Sequence, residues 1–324
     1  MTYAIVARQQ GGSDVLEQIK IAKPSPAAGE VLVRHAAIGV NFIDTYFRTG
    51  LYPWPVDKDL VLGSEAAGVI EAVGDGVSGF AVGERVAYTI PNGAYVSHRV
   101  IDAKHLVKLP DTISDEVAAA SMLKGLTAHY LLHRSYVAEA GKKVLFHAAA
   151  GGVGLIAGQW LAAKGVTAYG TAGGAEKCAL ASEHGYSKMI DYKSEDFVER
   201  VKEITDGQGV DAVYDSIGKD TYPGSLQCLK NFGSLVSFGQ SSGPALDFKL
   251  SDLAVGSYSV TRPVLFHFTA EPGYLQSAAD ELFAMISSGE IKISINQKFN
   301  LSDVAKAHDQ LETRKTTGST VLLP

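Results

Sequence analysis

The stretch that most limits what this chain can fold into is Val144–Lys164, VLFHAAAGGVGLIAGQWLAAK. An apolar run, Val144-Leu145-Phe146-His147-Ala148, passes through Ala149-Ala150-Gly151-Gly152-Val153-Gly154 into small and apolar residues that end at Lys164 and Gly165. Such a run followed by glycines describes a buried parallel strand turning into a helix. Gly151 lets the backbone pass close to a pyrophosphate, and Gly154 lets the helix lie tight on its strand. The N–H groups at the start of that helix, over Ala150, Gly151, Gly152 and Val153, are placed to receive phosphates. This is the setting a dinucleotide site needs. Ala149 stands where the first glycine of G-x-G-x-x-G belongs, so the motif is weak taken alone. A membrane span is a competing reading, because the stretch has the length for one and Gly154 and Gly158 have the spacing of a membrane dimerisation pair. His147, Gln159 and the glycines interrupt it, and no second such segment follows. A plain buried helix without a ligand is the stronger competitor until the rest of the chain is read.

The chain has 324 residues, more than one core usually holds, so two domains are expected. Hydrophobic residues at 46%, charged residues at 20% and 34 glycines suit a soluble α/β protein rich in turns. A net charge of −6 without a basic run argues against a nucleic-acid surface, which needs concentrated Lys and Arg. The opening MTYAIVARQQGG lacks an apolar export segment, and Cys178 and Cys228 make no disulfide framework, so the cytoplasm is the expected setting.

Up to about Ser114 the chain reads as short strands separated by turns, with little helical periodicity. Tyr3–Val6, Gly29–Gly39, Leu62–Ile70 and Gly83–Tyr88 are the clearest, and glycines at their ends suggest a strongly bent β-barrel. Helical pattern then covers Val117–Ala120 and Thr127–Tyr136. From Val144 strands and helices alternate at the spacing of parallel-sheet units, with strands at Val166–Gly170, Met189–Tyr192, Val210–Asp215, Gly233–Gly239 and Ser257–Thr261. The expected fold is α/β: a β-barrel domain and a doubly wound cofactor domain. Helices at Ala278–Ser288 and Val304–Thr313 and a last strand at Ser319–Leu323 return to the first domain. The expected divisions are 1–124 and 265–324 for the barrel domain and 125–264 for the cofactor domain.

Six segments carry a family resemblance: Gly39–Tyr46, Leu62–Gly68, Leu123–Ala128, His147–Gly154, Val210–Gly218 and Ser237–Gly243. In this order they resemble the zinc-free medium-chain dehydrogenases/reductases, and within them the quinone oxidoreductases of the zeta-crystallin type. The resemblance implies a GroES-like catalytic domain, a Rossmann cofactor domain and a homodimer paired along the last strand of the cofactor sheet, here near Ser257–Thr261.

Zinc-using relatives carry a cysteine where this chain resembles them at Asn41, a histidine at Ser64 and a thiolate near Leu123. None of these side chains suits zinc, and no metal is expected. His129 and His133 share helical spacing but lack the acid of H-E-x-x-H. Ser121-Met-Leu-Lys124 matches S-x-x-K without its S-D-N companion, so acyl transfer is not expected.

The cofactor is argued from charge. After the second cofactor strand comes Thr171-Ala-Gly173-Gly-Ala-Glu-Lys177, with no acid at the strand end to hold ribose hydroxyls. Thr171 is read as facing the ribose, Gly173 as leaving room and Lys177 as meeting a 2′-phosphate. The resemblance adds Tyr192 and Arg314 to that pocket, Thr127 to the nicotinamide ribose, and Ser216, Phe238, Gly239 and Ser241 to the cofactor site. NADPH is therefore expected. Without a metal to polarise a ketone, the acceptor must already be electrophilic, which points to a quinone. Asn41 is the candidate donor to the oxyanion, and Tyr46 and Tyr52 are candidates for the acceptor pocket. The alternatives are an NADPH-dependent enone or alkenal double-bond reductase and a non-catalytic NADPH-binding module.

Overall fold

The computed structural model describes residues 2–324. Residues 1–124, 269–287 and 293–324 group into one unit, and 125–268 with 288–292 into a second.

In the first unit, β1 (Thr2–Ala7) and β2 (Leu16–Ile21) form an antiparallel hairpin whose connection contains Gly11 and Gly12. β3 (Glu30–Val40) is the spine of the main sheet. α1 (Phe42–Arg48) and the short β4 (Leu60–Val61), which pairs with β1, lead into β5 (Glu65–Val73). β6 (Arg85–Thr89), β7 (His98–Asp102) and β8 (Leu106–Lys108) follow. β5 and β7 both pair antiparallel with β3, and register shifts at Leu32/Val33 and His35/Ala37 bend the spine. Val31, Val33, Ile38, Leu62, Ile70 and Tyr88 fill the core beneath it.

α1 departs from the expectation of strands alone. Its buried residues are Asp44, Thr45, Tyr46 and Arg48, so it turns a polar face inward and leaves no apolar period to detect. The Asn41 N–H donates to Asp44 Oδ2 at 2.8 Å and starts the helix.

α2 (Asp115–Tyr130) and a π-helical turn over Leu131–Ser135 replace the two helical stretches expected there. The second unit then alternates β9 (Lys143–Phe146), α3 (Gly152–Ala163), β10 (Thr167–Ala172), α4 (Ala175–Ser182) and β11 (Lys188–Asp191). It continues through α5 (Phe197–Ile204), β12 (Val210–Asp215), α6 (Tyr222–Gln227), β13 (Leu229–Ser237) and β14 (Ser259–Thr261). β13 starts earlier than its apolar run, because Leu229 already pairs with Val210 across a bulge. The six strands are parallel in the order β11-β10-β9-β12-β13-β14, so the winding reverses at β9 and β12. Ligands of such sheets bind beyond the strand C-termini at that reversal.

α7 (Leu265–Thr269) and α8 (Tyr274–Ser288) come next, and α8 buries Leu275, Ala278, Ala279, Leu282 and Phe283 on one helical stripe. β15 (Ile295–Asn300), α9 (Val304–Glu312) and β16 (Ser319–Leu323) complete the first unit. β16 pairs with β3, and the seven-stranded sheet runs β15-β16-β3-β5-β6-β8 with β7 also on β3.

Candidate functional site

In the second unit the glycine turn after β9 is built as its residues require. The left-handed position of the turn falls on Ala148, at φ 55°, and not on Ala149, which is why alanine suffices where the motif has its first glycine. Gly151 is the extended N-cap of α3, and the helix begins at Gly152. A Cβ at Gly154 would lie 2.5 Å from Ala149 O, so the helix approaches its own turn too closely for any larger residue. The first-turn N–H groups of a helix have no intrahelical acceptor, and here they leave the turn between small residues.

At the end of β10 the structure corrects one expectation. Thr171 is buried, and its hydroxyl is 2.9 Å from His147 Nδ1, so it faces inward and not towards a ribose. Gly173 is closely covered and not open: a Cβ there would meet Tyr192 Oη at 2.5 Å, so only glycine lets the Tyr192 ring lie against the backbone. Asp191 Oδ1 accepts from Gly174 N at 2.8 Å and from Lys193 N at 3.0 Å, which holds the loops carrying Gly173 and Tyr192 together. Lys177 follows on the first turn of α4, half-buried, and Tyr192 is exposed. Arg314 belongs to the other unit, exposed in a left-handed turn after α9 at φ 57°.

Asp215 ends β12 and organises the next loops. It accepts from Ile217 N at 2.8 Å, Gly218 N at 3.1 Å, Thr221 Oγ1 at 2.7 Å and Ser225 Oγ at 2.9 Å. Phe238 N donates to Asp215 O at 2.8 Å and Ser241 N to Ser216 O at 3.1 Å. Ser216, Phe238, Gly239 and Ser241 are thereby brought side by side. Thr127 is buried in α2. His129 and His133 meet Trp160 edge to face, with ring centroids 5.6 and 5.4 Å from it.

In the first unit Asn41 Nδ2 donates to Glu65 Oε1 at 2.8 Å. The buried Glu65 also takes Lys124 Nζ at 2.7 Å and, on its other oxygen, Leu123 N at 2.6 Å. Asp44 accepts from Ser64 Oγ at 2.8 Å and from Tyr95 Oη at 2.9 Å, and burial pushes its carboxyl up to about 6. Tyr46 and Tyr52 come together edge to face, centroids 5.3 Å apart, with Tyr52 N donating to Tyr46 O at 3.0 Å. Phe42 and Phe47 flank the pair.

The zinc question has a structural answer here. Asn41 Nδ2 and the Ser64 hydroxyl both donate to carboxylates, and Leu123 offers only its backbone N–H to Glu65. These residues do not fit zinc, which binds through thiolate, imidazole or carboxylate lone pairs. The positive charge beside Glu65 is the Lys124 ammonium.

Sequence reasoning missed Glu65, Lys124, Asp44 and Asp215 as organising groups. Their signal was present in part: Glu65 opens one mainly apolar strand and Asp215 closes another.

A Rossmann-ordered sheet with a narrow helix start, in one chain with a bent antiparallel sheet, is the build of a medium-chain dehydrogenase/reductase. Residues 27–111 match the alcohol dehydrogenase GroES-like domain, and residues 184–322 match the family described as zinc-binding dehydrogenase. The quinone oxidoreductase of Pseudomonas aeruginosa is 52% identical over 316 residues, 97% of each chain. The crystal structure of Escherichia coli quinone oxidoreductase complexed with NADPH superposes with a TM-score of 0.97 at 46% identity, covering 100% of both chains. A 2-haloacrylate reductase from Burkholderia is 43% identical, covering 100% of this chain and 99% of its own. The chain belongs to the quinone oxidoreductases of the medium-chain dehydrogenase/reductase superfamily.

Proposed function

We propose that this protein is an NADPH:quinone oxidoreductase that transfers hydride without a metal. The observation that carries this reading is the Asn41–Glu65–Lys124 cluster: where relatives place metal ligands, this chain holds an amide and an ammonium around one carboxylate. No Lewis acid can be seated on those side chains, so the acceptor must be electrophilic by itself, as a quinone is.

NADPH, when bound, supplies the hydride. The N–H groups of Ala150, Gly152, Val153 and Gly154 receive the pyrophosphate at the turn that Gly151 shapes, its own N–H being taken by Ala148 O at 2.9 Å; Gly173, Tyr192 and Lys177 meet the adenosine phosphate, and the family resemblance adds Arg314 as a second cation. Thr127 contacts the nicotinamide ribose, and Ser216, Phe238, Gly239 and Ser241 bound the rest of the cofactor. Asn41 keeps one Nδ2 hydrogen on Glu65 and offers the other to the acceptor oxygen as charge develops there. Tyr46 and Tyr52 form the aromatic wall against which the acceptor stacks. The hydroquinone anion collects its proton from water.

The active form is a homodimer. β14 is an edge strand, and Phe232, Leu246, Leu250, Val255 and Val260 are exposed apolar residues around it, which supports closure by a second copy. Among the described residues no helix is long and apolar enough to cross a membrane. Cys178 and Cys228 are free thiols, in keeping with a cytoplasmic setting, and the acidic balance speaks against a nucleic-acid partner.

The test is NADPH oxidation with 1,4-benzoquinone, an alkenal and 2-chloroacrylate as acceptors. A higher kcat/KM on the quinone is expected. Preference for the alkenal or the haloacrylate would make the chain a double-bond reductase, and no oxidation with any acceptor would leave a binding module.

A further inference from the structure

One buried polar chain takes no part in the reaction just described. Thr171 Oγ1 lies 2.9 Å from His147 Nδ1, His147 Nε2 lies 3.0 Å from Ser225 Oγ, and Ser225 Oγ lies 2.9 Å from Asp215 Oδ2. None of the four residues is more than 2% exposed. A single proton arrangement satisfies them all. The carboxylate only accepts, so the Ser225 hydroxyl donates to it and must itself accept from His147 Nε2–H. His147 Nδ1 is then bare and accepts the Thr171 hydroxyl. Burial lowers the imidazole pKa and holds it in this neutral form.

The position of this chain gives it a task. The backbone pairing of β9 with β10 ends at Phe146↔Gly170, and with β12 at Phe146↔Tyr214. The next residues are His147, Thr171 and Asp215, where the side-chain bonds add to the last backbone ones, His147 N to Tyr214 O and Ala149 N to Thr171 O, both at 3.0 Å. From those residues depart the three loops assigned above to the cofactor. His147 opens the pyrophosphate turn, Thr171 leads to Gly173 and Lys177, and Asp215 holds the Ile217 and Gly218 amides beyond Ser216.

We propose that His147 is a positioning residue for NADPH: through Thr171 on one side and Ser225–Asp215 on the other, it keeps the three cofactor loops in register. Its effect falls most strongly on the adenosine-phosphate pocket, because Thr171 is the residue two before Gly173. The inference rests on the NADPH reading and deepens it. Thr171 is thus a specificity determinant that never touches the phosphate.

The test uses the full-length protein with Thr171→Val, which removes the hydroxyl and keeps the shape, and His147→Leu. NADPH and NADH dissociation constants, KM for each cofactor, kcat and the melting temperature of the free protein are measured. Thr171→Val is expected to weaken NADPH about tenfold, the scale of one lost hydrogen bond in a binding site, while NADH binding changes less and kcat at saturating NADPH stays within about threefold. His147→Leu is expected to weaken both cofactors, and Ser225→Ala added to it to cause no further loss, because the chain is already cut. Unchanged NADPH affinity in folded Thr171→Val overturns the proposal. So does an equal loss for both cofactors that merely tracks the fall in melting temperature, since that is the signature of a general structural role. If His147→Leu does not fold, Thr171→Val alone decides. Failure of the unaltered protein to bind NADPH would instead refute the reading on which the proposal stands.

Discussion

In the first unit a buried chain runs from Arg48 NH1 to His308 Nδ1 at 3.0 Å, from His308 Nε2 to Tyr95 Oη at 2.9 Å and from Tyr95 Oη to Asp44 Oδ2 at 2.9 Å. In the second, Thr171, His147, Ser225 and Asp215 repeat the order of donor, imidazole, hydroxyl and carboxylate. The two differ at the head and in reach. A guanidinium heads the first chain, paired through two bonds of 2.7 and 2.8 Å to Glu312, and a neutral hydroxyl heads the second. The first links residues 260 and 213 positions apart and sews the two separated pieces of its unit together. The second links ends of neighbouring strands that their own ladders already hold. The same bonding order therefore serves stability in one unit and cofactor geometry in the other.

The comparison breaks most visibly at Arg48. Arg48→Leu strands His308 Nδ1, Gly11 O and the Glu312 carboxylate and is expected to destabilise by about 3 kcal/mol or more, read by urea unfolding, with NADPH affinity of the folded fraction unchanged. Loss of NADPH affinity without loss of stability would erase the distinction between the two chains.

Acid tests the first chain by sign. Burial lowers His308 to about 3, so its contribution is present above 6.5 and fades as pH falls, by about 2 kcal/mol at pH 5. Asp44 works against it. Its raised value of about 6 means that stability is lost as pH rises from 3.8 through 6, so at pH 5 the proton on Asp44 returns about 1 kcal/mol. His308→Gln should flatten the acid decline in melting temperature, and Asp44→Asn should steepen it. An acid decline left unchanged by His308→Gln would show that the imidazole titrates while folded.

Tyr95→Phe cuts the middle of the first chain and leaves His308 Nε2 and Asp44 Oδ2 each short of a partner. About 1–2 kcal/mol of stability should go, measured by the shift in denaturation midpoint, with quinone KM little altered. The smallest effect on the fold belongs to the second unit's surface. Lys177→Ala should leave melting temperature unchanged and narrow the preference for NADPH over NADH about tenfold, measured by titration with each cofactor. Equal affinities in the unaltered protein would remove the phosphate pocket altogether.

How much was legible follows residue type. Val210–Asp215 was read from end to end, because a strand buried along its whole length keeps a mainly apolar run, here Val210, Ala212, Val213 and Tyr214 between Asp211 and Asp215. The strand–turn–helix over Val144–Lys164 was also legible, since only small residues allow the approach at Gly154. α1 was hidden, because the face it buries is Asp44 and Arg48. Thr171 was placed correctly at the end of β10 but assigned the wrong direction. Whether a strand-end side chain turns in or out depends on what its neighbour offers, and that neighbour is His147, 24 residues away.

The amino-acid sequence by itself determined the local matters: where the apolar strands and the glycine turn of the second unit run, where backbone must pass close, and that Asn41, Ser64 and Leu123 carry no side chain suited to zinc. These depend on spacing and on the chemistry of single side chains, which a sequence displays directly. Only the tertiary structure decided which polar groups share protons. The partners of His308, His147 and Glu65 come from segments remote in the chain, and a hydrogen bond is a condition on distance and direction that no residue can state alone.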